Sequence, residues 1–448
     1  MEVLQGFSFY PVEFTKDGQL ANPARADELL AGLTADHTTD LLVLSHGWNN
    51  NMADARDLYS RFLGCVRPLL DAAQPSQDLA GRRFAVLGVF WPSVMFADAE
   101  LSAANAAGLD SPVTNDMIVA ELERLKGVFD APDADNKLTQ AQALVPKLVN
   151  HESAQARFAD LLRAVLAPSE QADTDAAATF QAMDGADLFA RLSAPPPAGA
   201  GPAAPAAPAP AAAVAATDPP LAGHAAGIGS GLFGGIKAAA MNVLNLTTYY
   251  QMKNRAGLVG QGAVNALLRR VRATLPAVRL HLVGHSFGCR LLSAATAGAD
   301  SASGVKVDSM TLLQGAFSHY GFSDKYDTGG HAGFFRQVLA NHLVAGPILV
   351  SHTRNDRAVG TMYPLASRLA GQVAAALGDA NDQYGGLGSN GAQKTPEARN
   401  GQLQDVGATY AFGAGQVYNL LADAYISGHS DICHPQTAYA FLRAVATT

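Results

Sequence analysis

The stretch Val278-Arg279-Leu280-His281-Leu282-Val283-Gly284-His285-Ser286-Phe287-Gly288 decides how this chain is read. A short apolar run leads directly into Gly-x-Ser-x-Gly, and Cys289–Ala297, which suits a helix, follows it. Strand, tight turn and helix in that order lift one side chain above the edge of a sheet, at strained dihedrals. Ser286 occupies that point and is the candidate nucleophile. Gly284 and Gly288 leave room where a Cβ would strike the neighbouring strand or helix. The helix N-terminus turns its amide N–H groups and its positive end toward developing negative charge.

Working outward, four more apolar runs share the character of Val278–Val283: Leu41–Ser45, Phe84–Trp91, Met310–Leu313 and Pro347–Ser351. Each is four to eight residues long and continuous rather than alternating. That is the pattern of parallel strands buried on both faces. Helical stretches lie between them. In one, Tyr249, Met252, Ala256, Val259, Ala263 and Leu267 recur at steps of three and four. Gly6–Phe14 predicts an antiparallel edge hairpin. The expected fold class is α/β, a mostly parallel open sheet with helices on both faces.

The middle of the chain differs. Phe96–Asn245 holds 17 acidic and 8 basic residues, net −9, while the whole chain carries −8. Met117, Ile118, Leu122, Leu125 and Phe129 fall on one helical face behind Thr114-Asn115-Asp116, a capping cluster. Phe158, Leu161, Leu162 and Val165 predict a second helix. Ala194–Pro220 contains 13 Ala and 9 Pro in 27 residues, so it has little to bury and reads as a linker or disordered loop. The expected organisation is a first core part over 1–95, an acidic helical insertion over 96–245 and a second core part over 246–448. Leu221–Tyr250, glycine-rich and apolar with Lys237 its only charge, reads either as a lid over the site or as the tightly packed start of a helix.

Composition narrows the function. With 48% hydrophobic residues the chain can bury a sizeable core, and its acidic balance argues against coating nucleic acid. No stretch reads as a membrane span, and Met1–Gly6 lacks the basic and apolar regions of a cleavable signal. Cys65, Cys289 and Cys433 are too few and too scattered for a disulfide framework or a zinc cluster. The default location is cytoplasmic, and export would need a signal-independent route.

A serine nucleophile needs an oxyanion site, a base and an orienting carboxylate. The run ending in Leu44-Ser45 continues as His46-Gly47-Trp48-Asn49-Asn50. The backbone N–H of Trp48, paired with that of Phe287, is the expected oxyanion donor pair, and Gly47 lets the backbone come close. His46 is expected to hold structure by hydrogen bonding rather than to shuttle protons. Asp356 lies just past the Pro347–Ser351 run and is the expected acid, with Asp324 and Asp327 as rivals. Two histidines follow it, His429 and His434. His429 lies in Ser427-Gly428-His429-Ser430-Asp431-Ile432, between an apolar run and the last helix (Thr437–Ala446), and is the expected base. Gly428 is expected to help that loop bend. His434 precedes Pro435 and is expected to cap or pack. His151 and His331 read as surface or capping residues rather than metal ligands.

His46-Gly47-Trp48, Gly284-His285-Ser286-Phe287-Gly288, Asp356 and His429, in that order, resemble the α/β-hydrolase superfamily in its serine esterase and lipase branch. His281–Gly288 is especially similar to the lipase form of the nucleophile turn. The resemblance covers 1–95 and 246–448. It implies an eight-stranded, mostly parallel sheet and a Ser286–His429–Asp356 triad. The implied function is hydrolysis of carboxylic esters, small-molecule or lipid, through an acyl-enzyme and without metal or organic cofactor. Transient contact with a membrane surface is compatible with that role, although the acidic block disfavours anionic lipid. The competing readings are another acyl-transfer enzyme (amidase, peptidase, thioesterase or acyltransferase) and a scaffold with a dead site.

Overall fold

A computed structural model describes residues 1–72, 79–93, 113–166, 177–193, 235–356 and 384–448. The Ala/Pro-rich segment 194–220 and the glycine-rich residues 221–234 lie outside the described residues. The strands are β1 (Glu2–Leu4), β2 (Phe7–Glu13), β3 (Asp40–Ser45), β4 (Phe84–Phe90), β5 (Arg279–His285), β6 (Ser309–Leu313), β7 (Ile348–His352), β8 (Ala398–Gln402) and β9 (Val417–Leu421). They form one sheet in the order β1-β2-β4-β3-β5-β6-β7-β9-β8. Only the β1–β2 pair is antiparallel. The protein is of the α/β class.

The buried runs are continuous because successive side chains enter two different cores. On β3, Leu41 and Val43 face one core, and Leu42 and Leu44 the other. On β5, Leu280 and Leu282 join the first and Val283 the second. The helices on the second face are α2 (Met52–Asp71) and the last helix of the chain, Pro435–Val445. Helix α1 (Ala24–Ala35) and most other helices lie on the first face.

That first core also takes in the helices of the acidic block: α3 (Asn115–Arg124), α4 (Ala134–Leu144), α5 (Glu152–Arg163), α6 (Ala177–Ala182) and α7 (Gly185–Ser193). Thr114 caps α3 as expected, its Oγ1 accepting the Met117 N–H. Ile118, Leu122, Leu125 and Phe129 are buried, while Met117 is exposed. Phe158, Leu161, Leu162 and Val165 are all buried. Helix α8 (Ile236–Val259) packs against α5 and α7 on one side. On another it meets the helix that follows Ser286, α10 (Phe287–Ala297), so it is buried nearly all round. The boundary expected at residue 245 falls inside α8. Charge composition changes there, but the backbone hydrogen bonding does not. A π-helical turn over Gly260–Val264 leads on to α9 (Asn265–Thr274).

Three sequence expectations are corrected. The sheet has nine strands among the described residues rather than eight, because the polar β8 pairs with β9 at the far edge. The hairpin spans Glu2–Glu13, and only β1 is the edge, since β2 continues parallel to β4. Val278 precedes its strand, and β5 runs on through Gly284 and His285.

Two features place the site. First, β3 neighbours β5, with Ser45 opposite Gly284. The chain steps from β3 to β4 in one direction and from β5 to β6 and β7 in the other, so the order reverses between β3 and β5. Crevices at such a reversal, beyond the strand C-termini, are where open α/β sheets bind ligands. Second, the opposite ends of these strands are stitched by a buried network. His281 Nε2 lies 3.0 Å from Asp40 Oδ1 and its Nδ1 lies 2.8 Å from Ser309 Oγ. Arg82 Nη1 donates to the same Asp40 oxygen at 3.0 Å. With His281, Asp40 and Ser309 all buried, this network ties β3, β5 and β6 to one another laterally.

Candidate active site

Strand β5 delivers the chain to Ser286, whose φ is 56° and ψ −123°. A serine pays strain for that conformation and holds it only where its surroundings impose it. Here the Ser286 N–H donates to Leu313 C=O at 3.1 Å, and the Ser286 C=O accepts from Ala316 N–H at 3.1 Å. Both partners belong to the end of β6 and the loop after it, so the neighbouring strand clamps the turn. The glycines fit their expected purpose. A Cβ on Gly288 would lie 2.2 Å from Ser45 O and 2.7 Å from His46 O, and one on Gly284 2.7 Å from Cys289 N. Gly288→Ala is therefore expected to destabilise the fold by about 3 kcal/mol, since backbone rather than a pliant side chain must move. Gly428 has open space around it and no left-handed φ, so the bend of its loop does not depend on glycine. Gly428→Ala is the neutral control in a urea unfolding series.

The loop after β3 abuts Ser286. A Cβ on Gly47 would fall 2.6 Å from Ser286 Cβ, a contact only glycine permits. Neither the Trp48 nor the Phe287 backbone N–H has a carbonyl partner among the described residues. The two residues are neighbours, with ring centroids 6.1 Å apart, and Tyr249 lies 5.3 Å from the Phe287 ring. His46 is buried and structural. Its Nδ1 lies 2.9 Å from Gly47 O, its Nε2 takes the Trp91 N–H at 3.3 Å, and its ring stacks on the Trp91 indole. Asn50 Nδ2 donates to Gly47 O and Trp48 O at 3.3 and 3.0 Å, which fixes the loop's curvature.

His429 and Asp356 come together at Ser286. His429 Nε2 lies 2.8 Å from Ser286 Oγ, and His429 Nδ1 lies 2.8 Å from Asp356 Oδ2. Asp356 is buried, and the His429 side chain is 11% exposed. The loops that carry them are tied to each other. Asp423 Oδ1 accepts Thr353 Oγ1–H at 2.8 Å and Arg354 N–H at 2.9 Å, and Asn355 Nδ2 donates to Ile426 O at 2.9 Å. His285, beside the serine, donates its Nε2–H to His429 O at 2.9 Å and so holds the His429 backbone against the turn.

The rival residues are elsewhere. Asp324 and Asp327 are exposed, and Asp327 Oδ2 meets His331 Nδ1 at 2.7 Å. His434 turns to Asp431, Nε2 to Oδ1 at 2.8 Å, just before the last helix begins at Pro435. His151 is exposed at the start of α5. Sequence reasoning missed Asp423, Asn355, Ser351 and Gln314. Asp423 is followed at short range by the His429 loop, but its contacts with residues 353 and 354 are long-range and leave no local signal.

Electrostatics separates the histidines. Burial pushes His46 down to about 4. Burial, with the nearby His429 ring adding to it, pushes His285 down to about 3. Both rings stay neutral at physiological pH, consistent with their fixed hydrogen bonds. A folded value below the unfolded one means that the unfolded chain binds more protons below pH ~6.5. The stability these rings allow is therefore complete above that pH and is lost as pH falls. By pH 4.5 the loss is roughly 2.5 kcal/mol per ring. Urea unfolding at pH 7 and pH 4.5 measures it, and a level free energy across that window would contradict two histidines held neutral by burial.

Comparison with family models, with curated proteins and with solved structures yields no match to this chain.

Proposed function

We propose that this protein is a serine hydrolase of the α/β-hydrolase kind that cleaves carboxylic esters. The observation that carries this reading is the continuous chain from Ser286 Oγ through the His429 ring to Asp356, with both links at 2.8 Å. Its position at the reversal of strand order supports it.

In the first step His429 Nε2 takes the Ser286 hydroxyl proton as Oγ bonds to the ester carbonyl carbon. The carbonyl π pair moves onto oxygen, and the Trp48 and Phe287 amide N–H groups receive that charge. Asp356 holds His429 with its Nδ1 protonated and balances the imidazolium. As the C–O bond to the alcohol breaks, His429 gives its proton to the leaving oxygen. Water, deprotonated by His429, then attacks the acyl-enzyme. The acid departs, and Ser286 recovers its proton.

Trp48 and Phe287, with Tyr249 packed on the Phe287 ring, make the surroundings aromatic and favour an apolar acyl group over a charged one. Turnover of p-nitrophenyl esters across acyl chain lengths tests the proposal. Cleavage with a preference for longer chains is the expected result. Absence of turnover for every ester, with intact fold, would overturn it.

A further inference from the structure

We propose that Gln314 is a positioning residue for the acid, an inference that rests on the serine hydrolase reading above. Gln314 follows β6, is fully buried, and has a φ of 49°, which glutamine rarely adopts. Its side-chain amide is held on both ends. Oε1 accepts the Ser351 Oγ–H at 2.8 Å, while Ser351 Oγ in turn accepts the Gln314 backbone N–H at 3.1 Å. Nε2 donates to Asp356 Oδ2 at 3.2 Å and to Gly388 O at 3.2 Å.

This network leaves the amide one orientation. The Ser351 hydroxyl oxygen is occupied by a donor, so its own proton points to Oε1, which must be the oxygen. A flipped amide would set Oε1 against both the Asp356 carboxylate and the Gly388 carbonyl. Asp356 Oδ2 thus receives two N–H donors, one from Gln314 and one from His429 Nδ1. The Gln314 bond fixes the rotation of the carboxylate about its Cβ–Cγ bond. It aims at His429 the oxygen that keeps the ring's proton on Nδ1 and its lone pair on Nε2, toward Ser286. Gln314 acts through Asp356 and touches no reacting atom. Strand β7 supplies both Ser351 and, just beyond its end, Asp356, so the β6–β7 pairing sets the geometry.

The titratable ring that meets this carboxylate is His429, with the His285 ring 5.0 Å from that of His429, while the Arg354–Asp423 pair lies on the loops that carry the two residues. Gln314 itself carries no charge, so replacing it by Glu adds the one new titrating group. A Glu at this position keeps a donor toward Asp356 only while protonated. Two carboxylates this close share one proton, and the pair gives it up well above the ordinary carboxylate range.

The test measures kcat, KM and pH profiles on a p-nitrophenyl ester, with active sites counted by fluorophosphonate labelling. Gln314→Met is expected to lower kcat per active site about 10- to 100-fold with KM nearly unchanged. Gln314→Glu is expected to retain most activity near neutral pH and to lose it on an alkaline limb absent from the wild type and from Gln314→Met. Ser351→Ala, which frees Oε1 but keeps Gln314, is expected to lose several-fold in kcat. A purely structural role would lower the number of active sites without moving kcat or the pH profile, and that result overturns the inference. A wild type that turns over and labels, beside variants of equal kcat and identical profile, overturns this inference alone. A wild type that neither labels nor turns over overturns the hydrolase reading with it.

Discussion

Replacing Ser286 by alanine is expected to remove ester turnover and fluorophosphonate labelling together while leaving the protein folded. The hydroxyl is the only group of this residue within reach of His429 Nε2, at 2.8 Å. Its loss takes away the covalent route, and the fall in kcat is on the order of 10⁴- to 10⁶-fold. The residual rate is what oxyanion donors and binding alone supply to attack by water. The fold should survive, because the backbone bonds from Ser286 to Leu313 and Ala316 do not involve the side chain. A probe that still labels the alanine variant would place the nucleophile elsewhere.

The second large effect is that of Asp356→Ala, expected to reduce kcat on the order of 10⁴-fold. Without the carboxylate, the His429 Nδ1–H loses its acceptor and the imidazolium loses its counter-charge. The ring then samples the tautomer that carries its proton on Nε2, which cannot take one from Ser286. Gln314 Nε2 loses one of its two acceptors at the same time. Labelling of Ser286 should slow in parallel with turnover, since both begin with the same proton transfer. A loss below tenfold in either assay would mean that some other acid orients His429.

Much of this architecture is legible in the amino-acid sequence for one reason. A strand covered on both faces is apolar at nearly every position, as in Leu41–Leu44; in Leu280–Val283 the one polar side chain, His281, is buried with Asp40 and Ser309 as its partners. Strand β8 is the opposite case. Ala398-Arg399-Asn400-Gly401-Gln402 is exposed along most of its length, and apart from Asn400, whose Oδ1 accepts from Asn419 Nδ2 at 2.9 Å, it meets β9 through its backbone, so no apolar run marks the ladder in the sequence. Helix α8 is readable from its apolar spacing. Its true start at Ile236 is not, because residues on every side of it are buried and the change in charge does not follow the packing.

The candidate site divides in the same way. Ser286 is announced by a local turn whose glycines answer close backbone contacts, which a short window of sequence can display. Asp356 and His429 are legible by chain order and by their places after β7 and β9. Gln314 is not, because its meaning lies in Ser351, Asp356 and Gly388, between 37 and 74 residues away. Nothing near residue 314 distinguishes it from any other glutamine after a strand.

The left-handed serine at the end of β5 has an evolutionary consequence. Glycine would adopt that backbone without penalty, so the most stable version of this turn is one that has lost its hydroxyl. Stability and chemistry pull in opposite directions at this single position. If the proposed chemistry were no longer selected, residue 286 is among the first places where drift toward glycine would bring a gain in folding.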